Sequence, residues 1–308
     1  MRRVVIVVVL VVAAAILGVW RSHGGIRRNL SETIGGGDVQ GEAREEIRKS
    51  YQLQSGAHVE VSGINGAVDI QASDGNTAEV YVLRTGTSQE ALNRRELVIE
   101  QTPTSLVVRG QKSKKLSFWD CLWGRSPNEQ VTIKAPRQIG LAVKGVNGHV
   151  FAGDTEGPIE VKGINGRVDL GQATNYAELS GINGNIGVGL KQLDDQGVRI
   201  NGVNGNIELR LASDLNANLT ARGINGSLHS EIPEVRVERE EHWGRYSAQI
   251  GKGGAPITFH GINGNVRLTR GSGLPPLSSD KTSSDANASR DAKAASDSKA
   301  AKDVKGTN

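Results

Sequence analysis

The chain has 308 residues, and its 37 basic and 33 acidic side chains leave a net charge of +4 at pH 7. Because the two signs are interspersed, this balance gives no support to a nucleic-acid partner. The single cysteine, Cys121, excludes an intramolecular disulfide and a metal site built from several thiolates. The 40 glycines and only three phenylalanines are typical of a turn-rich β protein with a thin aliphatic core.

The chain begins with an apolar segment. Residues 4–20 are apolar or small without interruption, and arginines flank them at positions 2, 3 and 21. This length is at the short end for a membrane-spanning helix, which needs about 20 residues. We expect residues 1–21 to act as an uncleaved anchor, which predicts a single-pass protein of the cell envelope whose remaining domains lie outside the cytoplasm. The alternative is a cleaved signal peptide, which would leave a secreted or periplasmic protein.

A polar, glycine-rich linker is predicted over residues 22–45. Alternating apolar residues then predict a strand-rich region that contains one short helix. This helix is predicted to begin at the capping box Thr87–Glu90 and to end near Arg95. The predicted strands are 47–53, 59–70 around a first corner, 80–84, 97–101, 106–110 and 131–134. We expect this region to form the N-terminal cap of a repetitive domain over residues 46–270.

An aromatic stretch interrupts the strand-rich region. Phe118, Trp119, Leu122 and Trp123 lie within six residues in a chain that is otherwise poor in aromatic residues. One interpretation is a lid whose side chains cover the open end of the repeats, since terminal repeats need a cap. The other is a contact site for a partner or a membrane surface, where aromatic and basic residues are favoured together.

Seven copies of Gly-(Ile/Val)-Asn-Gly organise the chain. They begin at Gly63, Gly145, Gly163, Gly181, Gly202, Gly223 and Gly261. The intervals after Gly145 are 18, 18, 21, 21 and 38 residues, and a fixed period of this size is typical of a repeat fold. The longest interval is about two periods, so we expect one irregular repeat within it, with a charged excursion near residues 236–245.

The residues around each corner alternate as in β-strands. Ile159 and Val161 precede the copy at Gly163, and Val168 and Leu170 follow it. A β-hairpin at Asn-Gly is the rival interpretation, but hairpins alone do not explain the recurrence. We therefore predict an all-β fold, a single-stranded parallel β-solenoid (β-helix) of right-handed sense. The asparagines are predicted to stack at one corner in a structural role: Asn65, Asn147, Asn165, Asn183, Asn204, Asn225 and Asn263.

The last segment, residues 271–308, is rich in Ser, Asp, Ala and Lys and has no Ile, Leu or Phe after Leu277. Such a composition buries too little apolar surface to offset the entropy of ordering, so a disordered tail is predicted.

The Gly-Ile-Asn-Gly corners resemble those of bacterial β-strand-repeat proteins described as putative adhesins, including the "head GIN domain" group. The supporting pattern runs from about Glu46 to Arg270. It includes the first corner, the helix, the strand that ends at Pro136, and the Ile-Gly-Lys-Gly-Gly segment at 250–254. The resemblance implies an envelope-exposed parallel β-solenoid, and it brings no catalytic motif.

An enzymatic function is the competing interpretation, because parallel β-helices also act on polysaccharides, which requires carboxylates grouped on one outer face. The outward carboxylates are Glu60, Glu160, Glu178, Asp69, Asp169 and Glu208, but basic residues alternate with them. The histidines show no ligand spacing, so we expect no catalytic residue, metal or cofactor. The predicted function is a membrane-tethered, non-enzymatic adhesin, scaffold or sensor module whose partner is an envelope protein or a glycan. A carbohydrate-active lyase or hydrolase is the alternative, and the oligomeric state stays open.

Overall fold

The computed structural model describes residues 43–113, 126–240 and 244–271. Within these ranges it has 21 strands and one short helix, α1, at Gln89–Asn93. The strands are β1 Ala43–Gln52, β2 His58–Ser62, β3 Val68–Ser73, β4 Thr77–Gly86, β5 Arg95–Thr102, β6 Ser105–Lys112, β7 Asn128–Pro136, β8 Gly140–Lys144, β9 Val150–Ala152, β10 Ile159–Lys162, β11 Val168–Ala173, β12 Ala177–Asn183, β13 Ile186–Leu190, β14 Val198–Asn204, β15 Ile207–Leu211, β16 Ala217–Asn225, β17 Leu228–Ser230, β18 Val237–Arg239, β19 Tyr246–Ile250, β20 Ala255–Asn263 and β21 Val266–Arg270. No helix in the described ranges has the length and apolar character to span a membrane, and the predicted anchor at residues 4–20 lies outside them.

The strands form two large sheets. The ten-stranded sheet has the order β1-β4-β7-β3-β9-β11-β13-β15-β21-β17, and the eleven-stranded sheet has the order β18-β19-β16-β20-β14-β12-β10-β8-β2-β6-β5. In each repeat, the strand before the Gly-(Ile/Val)-Asn-Gly corner belongs to the eleven-stranded sheet and the strand after it to the ten-stranded sheet. The tetrapeptide is therefore a corner between two sheets and not a hairpin turn.

The all-β class is confirmed, but the predicted single-stranded parallel β-solenoid is wrong. Both sheets are mixed: the strands of the repeats pair in parallel, as β10 does with β8 and β12, whereas β1–β4, β4–β7, β5–β6, β16–β19 and β18–β19 are antiparallel. Short connections explain part of this. Only two residues, Pro103 and Thr104, join β5 to β6, and a parallel pair would need a crossover of a dozen residues or more.

The order of the repeats in space also differs from their order in the chain. Strand β20 pairs with β14 on one side and β16 on the other, and β21 lies between β15 and β17. The last repeat is thus inserted between the two repeats that precede it. The long interval before Gly261 contains β18 and β19, which extend the eleven-stranded sheet at its end by antiparallel pairing.

Both glycines of each corner are required by the backbone. The first has φ between +60° and +68°, a left-handed conformation that other residues adopt at a cost. The second has φ between +148° and +158°, and a Cβ at Gly166 would overlap the carbonyl oxygen of Gly148 in the neighbouring repeat. The left-handed backbone therefore favours glycine at the first position, and the close approach of neighbouring corners requires it at the second.

The core lies between the two sheets and is almost entirely aliphatic. The apolar residues of the corners, Ile164, Ile182, Val203 and Ile224, are 1%, 1%, 2% and 5% exposed, so they point into this core. At the end of the stack, the segment between β17 and β18 passes from one sheet to the other. Its Ile232 and Val235 join Tyr246 in the same buried core, so this segment covers that end.

Helix α1 lies between β4 and β5 and is one residue shifted from the predicted start. Its N-cap is Ser88 rather than Thr87, and the Ser88 hydroxyl accepts a hydrogen bond from the Ala91 amide at 3.2 Å. Leu92 is fully buried, so packing against the strands holds this five-residue helix in place.

Candidate functional site

The seven corner asparagines form one ladder of side-chain amides. Each Nδ2 donates to the Oδ1 of the next asparagine at 3.0–3.2 Å, in the order Asn225, Asn263, Asn204, Asn183, Asn165, Asn147, Asn65. At the end of the ladder, Asn65 donates to the carbonyl of Pro127 at 2.9 Å. Six of the seven are exposed to solvent. An amide has two N–H donors and two acceptor lone pairs, so each member keeps one donor and one lone pair for a further partner.

A second, shorter row runs beside the ladder, two residues later in each repeat. The Asn185 and Asn206 side chains accept hydrogen bonds from the backbone amides of Asn206 and Asn265 at 3.0 Å. The Asn265 side chain accepts from both the amide and the hydroxyl of Ser227. This edge of the molecule therefore presents two parallel lines of polar groups with the spacing of the strands, about 4.8 Å.

The outward carboxylates of the eleven-stranded sheet are held by lysines. Glu160 lies opposite Glu178, and Lys162 contacts both at 2.7 and 3.3 Å. Lys144 joins Glu160 at 3.0 Å and Glu60 at 3.8 Å. Hydrogen bonds from Lys162 and Lys144 lower the pKa of Glu160. A general acid for glycoside cleavage needs a raised pKa, so this row has the properties of a solvated strand face.

The outward carboxylates of the ten-stranded sheet do not pair with one another. In the row across its strands, Phe151 separates Asp69 from Asp169, and Gly187 separates Asp169 from Glu208. They are two strands apart in each case. These three carboxylates therefore do not form the closely spaced pair that a retaining glycosidase uses.

Asp169 is nevertheless unusual because it is buried on an outer face. It accepts hydrogen bonds from His149 Nε2 at 3.1 Å and from Arg167 Nη2 at 3.1 Å, and Arg167 Nε lies 2.6 Å away. Burial alone raises the pKa of Asp169, but the hydrogen bonds from His149 and Arg167 outweigh it and leave the pKa below its usual range. The two hydrogen-bond donors thus stabilise the ionised form of the Asp169 carboxyl.

The guanidinium of Arg210 lies beside Gly187 of the neighbouring strand β13. A Cβ at Gly187 would lie within 2.9 Å of Arg210 Nη1 and 2.8 Å of Asp169 Oδ1, so the glycine makes room for both. Arg210 Nη2 donates to the Leu170 carbonyl at 3.0 Å, and burial lowers the pKa of its guanidinium. Sequence reasoning missed this residue, and an arginine two positions after Glu208 on a strand gives no signal that it is buried.

A second group of buried charges has a structural role near the first corner. Glu129 is fully buried, and its carboxylate accepts hydrogen bonds from the Asn65 amide at 3.2 Å and from Arg95 Nε at 3.3 Å. Arg84 donates to the carbonyls of Leu92 and Arg95 at 2.7 and 2.5 Å. These contacts tie helix α1 and β4 to β7, so the charges are explained by hydrogen bonds of the fold itself.

A cleft opens at the end of the eleven-stranded sheet where β16, β18 and β19 meet. We call it the C-terminal cleft; its volume is about 570 Å³, and it is lined by Asn218, Leu219, Thr220, Glu234, Arg236, Glu238, Ser247, Ala248, Gln249 and Gly251. Seven of these ten side chains are polar or charged. The sequence pattern indicates only the charged part of this lining, because the other residues come from strands whose antiparallel pairing the pattern does not predict.

The structure describes only some of the other residues that the sequence predicts for a site. Phe118, Trp119, Leu122, Trp123 and Cys121 lie outside the described residues. Over the part of the chain that the structure describes, no three residues among His, Cys, Asp and Glu come together as a candidate metal site. The corner asparagines lie together in the ladder described above.

No protein-family model matches the chain, and no curated protein does. Solved structures do match. A "putative cell adhesion protein" from Clostridium sporogenes ATCC 15579 is 12% identical, covers 74% of this chain and 100% of its own, and has a TM-score of 0.39. A "putative adhesin" from Bacteroides fragilis NCTC 9343 is 12% identical over 73% of this chain and 97% of its own, with a TM-score of 0.31. A "putative lipid binding protein" from Parabacteroides distasonis ATCC 8503 is 10% identical over 73% and 95%, with a TM-score of 0.23. At these values the neighbours support no conclusion about a ligand.

Proposed function

We propose that the chain is a non-enzymatic binding module of the cell envelope, of the adhesin type, tethered to the membrane through residues 4–20. The observation that carries the proposal is the ladder of exposed amides, which repeats one donor and one acceptor at a fixed spacing along an edge of the molecule. A regular line of identical groups suits an extended partner with a repeating backbone, such as an envelope protein or a glycan chain. The corner motif and its resemblance to the head GIN group support the same interpretation.

The electrostatics of the outer faces support binding rather than catalysis. Glu160 and Asp169 are both held as anions by neighbouring bases, and their pKa values are lowered by those hydrogen bonds, for Asp169 in spite of its burial. Neither carboxyl is therefore suited to donate a proton near neutral pH. Exposed ion pairs such as those between Glu160 and its lysines contribute little to stability, about 0–1 kcal/mol each.

The test is capture by the immobilised full chain, purified in a mild detergent, from detergent extracts of bacterial envelopes. We expect saturable capture of protein or glycan that free chain competes away, and heat-denatured chain is the control. Polysaccharides are incubated with the same preparation in parallel. Absence of saturable capture contradicts the proposed function. Release of reducing ends that Asp169→Asn abolishes would instead establish an enzyme.

The aromatic residues Phe118, Trp119, Leu122 and Trp123 remain a proposed lid over the open end of the repeats, with a partner contact as the alternative role. Burying a large apolar side chain contributes roughly 1.5–3 kcal/mol, so the two roles differ in a double Trp119→Ala, Trp123→Ala variant. A lid predicts a lower melting temperature and unchanged capture per folded molecule. A contact site predicts an unchanged melting temperature and weaker capture.

A further inference from the structure

The floor of the C-terminal cleft is a small grid of amides and hydroxyls. In the antiparallel pair β16–β19, Asn218 lies opposite Gln249 and Thr220 lies opposite Ser247. Leu219, between the two β16 residues, is 2% exposed and points into the core, so Asn218 and Thr220 face outward. Side chains that lie directly opposite one another in such a pair have Cβ atoms about 4.5–5.5 Å apart. Four hydrogen-bonding side chains therefore face the cleft together.

Charged residues form the wall beside this floor. Glu238 of β18 lies opposite Ser247, so one polar row runs from Thr220 through Ser247 to Glu238 across three strands. Glu234 is paired with Arg270 at 3.1 Å, and hydrogen bonds from its own backbone amide and from Arg270 lower its pKa. Among the described residues, Arg236 and Glu238 have no ion-pair partner within 4 Å. One cation and one anion are thus open to a ligand.

These groups select the chemistry of the ligand. Arg236 only donates hydrogen bonds, an ionised Glu238 only accepts them, and the amides and hydroxyls do both. The floor offers no outward apolar side chain to anchor a hydrophobic group, because Leu219 and Ala248 are buried. The hydroxyls of a neutral saccharide donate and accept at every position, so they can satisfy all of these groups at once. The volume of about 570 Å³ lies within the range of small-ligand sites.

We propose that the C-terminal cleft binds a neutral oligosaccharide. This proposal rests on the proposed function, because it names a glycan as the partner class of the binding module and assigns one site for it. A peptide is disfavoured by the lack of an apolar anchor, and by the edge strand β18, which has only three residues to offer for backbone pairing.

The experiment uses the full chain in mild detergent and a panel of neutral trisaccharides built from glucose, galactose, mannose and N-acetylglucosamine. Binding is followed by saturation-transfer NMR and titration calorimetry. The double variant Glu238→Ala, Gln249→Ala removes one group from the wall and one from the floor. Its matched control is Glu100→Ala, Gln101→Ala, two exposed residues on β5 at the opposite edge of the same sheet.

We expect at least one trisaccharide to bind, and the cleft variant to bind it about tenfold or more weakly, since two hydrogen bonds are lost. The control variant should bind as the unchanged chain does, and the melting temperatures of all three proteins should agree. Binding of no trisaccharide, or equal binding by the cleft variant, overturns the proposal. The proposal is also overturned if a peptide binds to the unchanged chain but not to the cleft variant, and saccharides do not compete with that peptide.

The two proposals fail in different ways. If the chain captures envelope material but trisaccharides neither bind nor compete, the cleft proposal falls and the binding module stands. If trisaccharides bind in the cleft but no envelope material is captured, the cleft stands as a saccharide site and the adhesin-type function falls.

Discussion

The insertion of the last repeat predicts which asparagines are energetically coupled. Asn263 donates to Asn204 at 3.0 Å, and Asn225 joins the ladder only through Asn263, to which it donates at 3.1 Å. If the repeats were stacked in chain order, Asn225 would instead bond directly to Asn204. The two arrangements can be separated by double-mutant cycles on the Asn204–Asn263 and Asn204–Asn225 pairs.

The size of the coupling follows from the contacts that alanine removes. Each substitution leaves the backbone bonds of the corner in place, such as that from the Gly205 amide to the Asn263 carbonyl at 3.0 Å. The coupling of Asn204 with Asn263 is then the net value of one exposed amide–amide hydrogen bond, about 0.5–1 kcal/mol. Asn204 and Asn225 share no bond, so their coupling should stay below about 0.3 kcal/mol, apart from any indirect effect through Asn263.

The assay is urea unfolding of the full chain in mild detergent, followed by circular dichroism, for the unchanged protein and for the single and double alanine variants of both pairs. Equal m-values across the set show that the free energies of unfolding can be compared. A coupling of Asn204 with Asn225 that equals or exceeds its coupling with Asn263 would refute the inserted order.

Three further predictions test the core, the outer face and the N-terminal segment. Ile182→Ala should lower the free energy of unfolding by about 2–5 kcal/mol, because the Ile182 side chain is only 1% exposed. Asn183→Ala should lower it by only about 1 kcal/mol. Equal losses for the two variants in urea unfolding would contradict the inward position of Ile182. The lowered pKa of Asp169 means that folding favours its ionised form, so this contribution is present above the unfolded pKa of about 3.9 and is lost as the pH falls through the folded pKa. Stability of Asp169→Asn should therefore fall less steeply below about pH 4, and parallel curves for both proteins would argue against the burial of this charge. Residues 4–20 should keep the chain in the membrane fraction after carbonate washing, and a soluble mature protein that begins near Ile16 would show that the segment is cleaved.

The local parts of the fold could be predicted because they depend on neighbours in sequence. The alternation of apolar and polar residues predicts the strands, and the repeated glycines and asparagines predict the corners. The order of the repeats could not be predicted, because identical corners can stack in any order. Three side chains show how the inserted order is packed: Phe259 of β20 lies between Ile200 of β14 and Ala221 of β16. The small alanine leaves room for the phenylalanine on that side.

The candidate site was predicted less well than the fold, for a related reason. The sequence predicts that Arg236 and Glu238 belong to a charged excursion, but it indicates only polar strand residues at Thr220 and Gln249. They come together because β19 pairs antiparallel with β16, about 30 residues away in the chain. Two-residue alternation shows that a side chain faces outward, and it does not show which strand lies beside it.

Repetition itself limits where a specific site can form in this molecule. Repeats with the same corner and the same alternation present the same groups to solvent, so a partner on the ladder can shift by one repeat at little cost. A site that holds its partner in a single position therefore requires a place where the repeats end or change. The insertion of β20 between β14 and β16 creates such a place, because the chain has to leave the end of the stack and return before the last repeat can be added. The excursion forms β18 and β19, and the C-terminal cleft lies against them. We therefore expect the ladder to contribute avidity towards an extended partner, and the cleft to determine which chemical group of that partner is recognised.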